Sequence, residues 1–582
     1  MAKCRIILLT LTIMWASASN TNQFFALFEQ ATQLLQQDEY HQAYELYKKA
    51  SELQPNCPQI YFNMGIVLQI LGNIPHAIQQ HKKAVALKPD YIKALLQLGT
   101  CLKDTGRLDE AVSAFYAVLD SQADNTIAHH AIAQIYYDTG KFTHALYHFK
   151  MAITHGDNIN IVNDYAGLLT LVNHNNKAVT LYKDMLQQHP NSAELYYNIG
   201  NALKRQNKLD KALPFYQKAI ALHPDSTFLQ FGIGLAYLTA GDFIRGWEKY
   251  EYRWGAHNIP KPTFTKPMWD GSPAARGETL FLYAEQGLGD TFQFIRYAEV
   301  AKQMGATVIV AVQKPLVKIL SLCPYIDAVI DQSQAPAPFD FHCPLLSMPY
   351  LCKTTRATIP CNIPYLHADP TLVAYWKEKL SLHNTNKQTN TTNTTALSTK
   401  PKISTHNATA AKKQIPIKIG ICWQGNQNFK TKVLEYIFES RQIPLHCFEP
   451  LLNLENATVY SLQKTVGEDQ ISTLSNPHKL HLFDSNFDNI HGRFMDTAAV
   501  IKNLDLVITV DTSIAHLAGG LGIPVWVLVP QPGDWRWMVD IDYSPWHPTM
   551  RLFRQTIPGN WEHVIENIIQ ALQTILDKKG NS

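Results

Sequence analysis

The chain has 582 residues, about four domain-equivalents at roughly 150 residues each. Its 51 Lys and Arg nearly balance 48 Asp and Glu, a net charge of +3 that excludes the basic footprint of a nucleic-acid binder and an acidic solvating tail. The 46 % of hydrophobic residues suffices for a core over most of the chain, and the nine scattered cysteines, none in a C-x-x-C pair, suit reduced thiols better than a disulfide framework.

At the N-terminus, Lys3 and Arg5 precede an apolar run from Ile6 to Trp15 and the triplet Ala16-Ser17-Ala18. This reads either as a secretory signal or as an over-extended start with translation beginning at Met14, and in both readings residues 1–23 are set apart from the fold. No later apolar run approaches 18 residues, so no transmembrane segment is expected.

From residue 24 the chain is periodic. Ala43, Ala77, Ala111 and Ala145 are 34 residues apart, and Ala178 and Ala212 follow at 33 and 34. Gly65, Gly99, Gly167, Gly200 and Gly234 keep the same phase, as do Pro55, Pro89, Pro190 and Pro224. Small residues let two helices approach, Tyr47, Phe115, Phe149 and Tyr216 are expected to fill the space between units, and proline ends each unit because it cannot continue a helix. The pattern resembles the tetratricopeptide repeat, as about seven helix pairs over 24–255. Such pairs stack into an α-solenoid whose concave surface is expected to bind a protein or peptide. Gly246 and Tyr250 still fall on repeat positions, but residues 247–254 are unusually aromatic, so the last unit is expected to dock on a neighbour. Pro260, Pro262, Pro267 and Pro273 then break the helical pattern.

Beyond Thr279 short apolar runs alternate with helical stretches, the pattern of a parallel sheet. Strands are predicted at Thr279–Glu285, Thr307–Gln313, Ala328–Ile330 and Phe339–Cys343, giving a first lobe over 256–382 with its linker. The Asn/Thr-rich tract 383–414 holds few large apolar residues and is expected to be a disordered linker; its sequons at Asn390, Asn393 and Asn407 follow from composition. A second lobe over 415–582 has strands predicted at Ile417–Trp423, Thr458–Gln463, Lys479–Phe483, Leu506–Asp511 and Val525–Val529, and helices near 496–503, 512–521 and 561–577. Ligands of such sheets bind beyond the carboxyl ends of the strands.

At one such end, Asp511-Thr512-Ser513-Ile514-Ala515-His516 runs from strand directly into helix. Backbone N–H groups near Thr512 and Ser513, with the helix dipole, make an anion site for which a diphosphate is the natural guest. His516 lies four residues after Thr512 and shares its face. The same residues also fit a plain helix cap.

That stretch, Asp-Thr-Ser-x-x-His-Leu-Ala, resembles the nucleotide-sugar site of glycosyltransferase family 9, the bacterial heptosyltransferases, whose GT-B fold sets two Rossmann-like lobes around a cleft. Ala284-Glu285-Gln286-Gly287-Leu288-Gly289-Asp290 resembles the loop that opens the first lobe of that family, and Cys422-Trp423-Gln424-Gly425-Asn426 the entry to its second. Asp534-Trp535-Arg536-Trp537 and Ser544-Pro545-Trp546 resemble the tetratricopeptide-bearing bacterial members. The resemblance implies an α-solenoid followed by a GT-B region, inverting transfer from a nucleotide-diphospho-sugar co-substrate, and no metal or other cofactor. It makes Asp290 the general base, with Gly287 and Gly289 on the acceptor side, and gives Asp511, Thr512, Ser513, His516, Gly425, Asn426, Arg441 and Lys464 to the donor.

Read without the resemblance, Asp290 fits an N-cap as well as a base. Arg441 and Lys464 fit solvated surface, and His342, an acceptor-side candidate at a strand end, fits a hydrogen-bonded core histidine. Asp540-Ile541-Asp542 has the form of a metal-holding pair but follows a tryptophan-rich loop away from the anion site, so no metal is expected there. Between Asn426 and Arg441 the chain is longer than the family pattern and lacks its His and Asn-Asp. A scaffold with inactive transferase lobes is therefore a rival expectation, and a lipopolysaccharide-type sugar transferase a third. The domain order also resembles the O-linked N-acetylglucosamine transferase, although only Asn63 and Asn198 keep that family's groove asparagine, with Gln97 between them. Nucleotide sugars are cytosolic, so a cytoplasmic protein is expected, or an exported one if residues 1–18 are a signal. Because the anion site lies wholly in the second half, deletion of 24–226 is expected to leave nucleotide binding intact.

Overall fold

The computed structural model describes residues 21–156, 158–273, 277–389, 416–425 and 431–580. The signal-like residues 1–18, Asn426 and the part of the Asn/Thr-rich tract from 390 onward lie outside the described residues. The chain divides into two compact units, residues 1–185 with 431–433, and residues 186–430 with 434–582.

The first unit is built of antiparallel helix pairs. A helix at 21–36 is followed by Tyr40–Leu53, then Pro58–Ile70 with Ile74–Leu87, Ile92–Asp104 with Leu108–Ser121, Thr126–Asp138 with Phe142–Thr154, and Ile159–Leu171 with Asn175–Gln188. The phased glycines sit under rings. A methyl built on Gly65 would lie 2.4 Å from the His81 ring, and one on Gly99 2.7 Å from Phe115. The rings of His81 and Phe115 therefore pack onto the small residue of their own pair, while Tyr47 also meets the next unit, where Asn63 donates to its hydroxyl at 3.1 Å. His81, wholly buried, occupies the place that Tyr47 and Phe115 fill in their pairs.

The turn inside every pair needs a left-handed residue. Gly72, Gly106 and Gly140 supply it at φ 75–77°, and Asp38, Asn173 and Asn207 supply it in the same phase, since Asn and Asp tolerate this region better than other side chains. Successive first helices of the unit are joined by polar side chains: Gln69 donates to Gln97 at 3.2 Å, Lys103 to Gln134 at 3.3 Å, and His130 meets Asp164 at 3.0 Å.

The second unit opens with two more pairs, Ala193–Arg205 with Leu209–Leu222 and Thr227–Ala240 with Phe243–Tyr250. Gly200 receives the Tyr216 ring, with 2.8 Å to a methyl built there. The α/β region follows. Its first sheet has β1 (Thr279–Tyr283), β2 (Thr307–Val312), β3 (Ala328–Asp331) and β4 (Phe341–Pro344) in the order β3-β2-β1-β4, all parallel. Its second has β5 (Ile417–Cys422), β6 (Ala457–Ser461), β7 (Leu480–His481), β8 (Leu506–Val510), β9 (Val525–Val529) and β10 (Met550–Arg554) in the order β10-β9-β8-β5-β6-β7, also parallel. Counted from its own first strand, the second sheet reads 3-2-1-4-5-6, the doubly wound order, and the first sheet reads 3-2-1-4.

Alternation divides the second sheet's residues between two cores. Ile419, Ile421, Ile508, Val510, Trp526 and Leu528 face the helix Glu562–Gly580 through Ile565, Ile568 and Leu572. Val507, Val525 and Val527 join a second core that runs through the first sheet and on to Leu238, Phe243, Trp247 and Tyr250 of the last repeat. The expected docking of that repeat is seen here. Trp247 is wholly buried, its ring 5.3 Å from Trp535 and 6.0 Å from both Phe294 and Trp546. Arg253, 3 % exposed, then grips Glu285 with two nitrogens at 2.7 and 3.0 Å and reaches Glu251 and Ser347 at 2.8 Å.

Three elements lie outside the sequence expectations. Met550–Arg554 is an edge strand, Lys432–Glu439 is a helix, and the helix Pro370–Thr389 continues seven residues into the Asn/Thr-rich tract. The strand predicted at Lys479–Phe483 is shorter, Leu480–His481.

Candidate functional site

In each sheet the strand order reverses direction once, between β1 and β4 in the first and between β5 and β8 in the second. A switch point leaves a crevice at the carboxyl ends because the helices on either side diverge. Asp290 follows β1, and Asp511–His516 follows β8, so both predicted clusters stand at switch points. The two exits also touch. The helices Leu288–Phe294 and Ser513–Gly520 pack together, and a methyl built on Gly289 would lie 3.2 Å from His516 Cδ2 and 3.5 Å from Ser513 Cα.

On the first lobe, Asp290 Oδ2 accepts from Gly287 N–H at 2.8 Å, closing the first turn of its helix. Its other oxygen accepts from Arg536. Arg536 also donates to Gln293 Oε1 at 2.9 Å and Asp534 Oδ1 at 2.8 Å, and lies over the Trp535 ring at 4.3 Å. Burial opposes its charge, but the carboxylates of Asp290 and Asp534 outweigh that and keep Arg536 firmly protonated. Arg536 is a candidate that the local sequence does not single out; its signal is its place between two tryptophans in Asp534-Trp535-Arg536-Trp537.

On the second lobe the helix Ser513–Gly520 has Thr512 at its N-cap position with no side-chain cap bond. Thr512 Oγ1 turns instead to Thr509 Oγ1 at 3.1 Å. Asp290 is thus not the N-cap itself but the third helical residue, its carboxylate closing on the N–H of the N-cap Gly287, and Thr512 holds the N-cap place with no side-chain cap bond among the described residues. His516 is 4 % exposed, its Nδ1 has no hydrogen-bond partner among the described residues, and its ring stacks on Trp537 with centroids 5.5 Å apart. Burial, then the positive charges of Arg536 and Arg296, push it down to about 3, so it is a neutral imidazole near neutral pH. Arg296 is itself 1 % exposed and is held by carbonyls of Gln293, Pro360 and Trp546 and by the Tyr365 hydroxyl.

Burial and the like charge of Asp534 push Asp511 up to about 6, against the opposing pull of Arg441. Against the penalty of its own burial, Asp534 is held below the usual aspartate value by Arg536 and Arg441. Gly425 comes beside Thr512, with 3.9 Å from a methyl built there to Thr512 Cγ2. The exit of β5 is fixed by Gln463, whose Oε1 accepts from Trp423 N at 3.1 Å and Gln424 N at 3.0 Å.

Arg441 acts by its charge on Asp511 and Asp534, and Asp290, Gly287, Gly289, Asp511, Thr512, Ser513, His516 and Gly425 are brought to the two switch points. Lys464 and His342 are not. Lys464 follows β6, one strand away, and donates to Phe487 O and to Asn489 Oδ1 at 3.2 Å. His342 is enclosed by Phe264, Tyr283 and Phe339, with Phe264 at 4.5 Å between centroids, and burial lowers it: it is a core histidine. Among the described residues no group of three or more His, Cys, Asp or Glu is arranged to hold a metal ion, and no helix is long and apolar enough to cross a membrane.

Tetratricopeptide repeat family models match residues 70–135 and 193–226. The chain is a tetratricopeptide-repeat protein carrying a C-terminal α/β region of two parallel sheets. It is distantly homologous to Protein FlbA of Caulobacter vibrioides, 23 % identical over 357 residues that cover 58 % of this chain and 53 % of FlbA. The chain thus spans about half the length of the curated relative it matches. Among solved structures, a tetratricopeptide repeat protein from Parabacteroides merdae is 14 % identical, covering 42 % of this chain and 95 % of its own, with TM-score 0.33. YrrB, described as a TPR protein with an unusual peptide-binding site, is 20 % identical over 31 % of this chain and 95 % of its own, with TM-score 0.29.

Proposed function

We propose that the α/β region is an inverting glycosyltransferase that uses a nucleotide-diphospho-sugar, and that the repeats recruit its protein acceptor. The observation that carries this is the meeting of two switch-point turns, one presenting a carboxylate and the other an uncapped helix start beside a neutral, buried histidine. An acceptor hydroxyl oxygen attacks the anomeric carbon while its proton passes to Asp290. The bond from that carbon to the diphosphate oxygen breaks, and the diphosphate leaves with the electron pair. An ionised carboxylate has about four lone-pair sites, so Gly287 N–H and Arg536 orient Asp290 and leave it capacity for a proton. The leaving diphosphate is met by Ser513 N–H, His516 and Arg441, and stabilising charge as it develops is commonly the largest catalytic contribution. Solenoid surfaces serve protein recognition, and the row of amides, His130 and Asp164 along the first helices offers donors and acceptors to a peptide backbone. The donor chemistry favours a cytoplasmic site of action, which N-terminal sequencing of the natural protein tests.

The second reading is a scaffold whose lobes are inactive. It is favoured by both oxygens of Asp290 being engaged already. Calorimetric affinity for nucleoside diphosphates, measured beside sugar turnover, separates the two. Under the enzyme reading His516→Ala weakens the nucleotide about 10- to 150-fold, the equivalent of one hydrogen bond to a charged group. Asp290→Asn keeps nucleotide affinity while transfer falls roughly 10²- to 10⁴-fold. Transfer at the wild-type rate by Asp290→Asn overturns the base assignment, and no binding of any nucleoside diphosphate favours the scaffold.

A further inference from the structure

Gly289, Gln293 and Arg296 stand at i, i+4 and i+7 and so share one helical face, because Leu288–Phe294 runs on into Arg296–Gln303 through Ile295, which keeps helical dihedrals of φ −58° and ψ −22°. Both ends of that stripe lie against the surroundings of His516. A methyl built on Gly289 would be 3.2 Å from His516 Cδ2. The Arg296 guanidinium is 3.2 Å from His547 Nε2, and the His547 ring centroid is 5.8 Å from that of His516. Gln293, midway along the stripe, therefore faces the His516 imidazole across the seam of two packed helices. Its side chain is wholly buried. Arg536 Nε donates to its Oε1 at 2.9 Å, and because a guanidinium has donors and no acceptor, the amide can be turned only one way. The NH2 group is thus aimed away from Arg536, and Nε2 has no hydrogen-bond acceptor among the described residues. Across the seam, His516 Nδ1 is buried and equally without a partner among the described residues. One group is a donor, and a nitrogen of a neutral imidazole can be its acceptor. Buried polar atoms are ordinarily satisfied, so two unsatisfied ones of complementary sense on one seam call for a shared reason.

We infer that Gln293 is a positioning residue: its Nε2–H donates to His516 Nδ1 when the donor diphosphate is bound, which fixes the imidazole proton on Nε2 and presents it to the phosphate oxygens. The inference rests on the transferase reading of this site and adds a residue of the first lobe to the donor side. Which imidazole nitrogen carries the proton is set by the bond that the other one makes. The two nitrogens are not bonded in the unliganded chain, and hydrogen bonds of this kind tighten when a ligand pulls on the far side of the ring. The donors then run in series, from Arg536 to Gln293, from Gln293 to His516 and from His516 to phosphate, each bond polarising the next. The turn Trp535–Trp537 holds both partners, since Trp537 stacks on the His516 ring and Arg536 grips the Gln293 amide. Asp290 hangs on the same guanidinium, so one arginine sets the carboxylate of the first lobe and the histidine of the second.

The test uses the full chain with inorganic pyrophosphate and with UDP, GDP and ADP, measured by calorimetry. Gln293→Met is expected to weaken the pyrophosphate and the nucleotide that binds best by about 2- to 12-fold, the equivalent of one neutral hydrogen bond. In a His516→Ala background the same change should cost less than about 2-fold, because the group it acts through is gone. A loss carried through Arg536 and Asp290, or through stability alone, would persist in that background. The unmodified protein supplies a second measurement, which decides the matter should Gln293→Met fail to fold. With 15N-labelled histidine and saturating pyrophosphate, NMR should show the His516 proton on Nε2, the resonances being assigned by their absence from His516→Ala. If Gln293→Met binds like the wild type, if its loss is the same with and without His516, or if the proton sits on Nδ1, the inference falls. The transferase reading then stands as long as His516→Ala alone weakens the nucleotide. If the wild type binds none of these probes, both fall.

Discussion

The turns after β1 and β8 each flank the switch point of their sheet, one after its first strand and the other after its fourth, and abut through Gly289 and His516, yet they are finished differently. The first is wired within the protein: Glu285 is held by Arg253, Gly287 N–H by Asp290, and Asp290 by Arg536. The second has, among the described residues, a start without a side-chain cap and a buried histidine nitrogen without a partner, and an aspartate pushed towards neutrality. Buried polar groups are ordinarily satisfied, so each exception needs a reason. Under the proposed transferase reading the wired turn positions a base and the other turn is where a ligand would complete the hydrogen bonding.

The contrast can be broken from the wired side first. Arg253→Ala leaves Glu285 buried without its cation and should cost about 3–5 kcal/mol of unfolding free energy, read by denaturant titration; an unchanged midpoint would show the clamp to be ornamental. Gly289→Ala pushes a methyl against His516 and should cost about 1–3 kcal/mol, with a weakened nucleoside diphosphate affinity that a remote overpacking mutant would not share. Asp511→Asn probes the other turn through pH. Its folded value of about 6 lies above the unfolded value near 4, so the native state binds the proton more tightly, and the cost of ionising it builds between about pH 4 and 6 and is complete above that. The variant should therefore be about 1–2 kcal/mol more stable than the wild type at pH 8 and lose that advantage by pH 4; thermal melts at the two pH values give the sign. Thr512→Ala should change stability by less than about 0.5 kcal/mol, whereas removing a working cap costs about 0.5–2 kcal/mol, so a larger loss would restore the capping role.

Much of this architecture is legible locally. The 34-residue phase of alanines and glycines, the strand-length apolar runs and the strand-to-helix stretch at Asp511 are all patterns within a few turns of chain. A second phased series, Asp38, Gly72, Gly106, Gly140, Asn173, Asn207 and Gly241, was present but harder to see, because three residue types answer the same demand for positive φ. His81 was invisible as a core ring because a histidine carries no apolar signal. Met550-Arg551-Leu552-Phe553-Arg554 breaks alternation at Phe553, and two arginines in five residues hide a strand that reaches both cores, Met550 and Leu552 on one face and Phe553 on the other. The wiring of the site was not legible at all: Arg536 with Asp290 spans 246 positions and Arg253 with Glu285 spans 32, and no local pattern encodes such partners.

The burial of Trp247 bears on how the molecule comes apart. Its indole fills a hollow walled by Phe294, Trp535 and Trp546, so the last repeat and the α/β region melt as one cooperative body. A protease that nicks the proline-rich stretch 260–273 should leave both fragments bound to each other through gel filtration. An expression boundary placed at residue 256 would expose that hollow to water and yield aggregates, whereas one that keeps the helices from Ala193 onward keeps it filled.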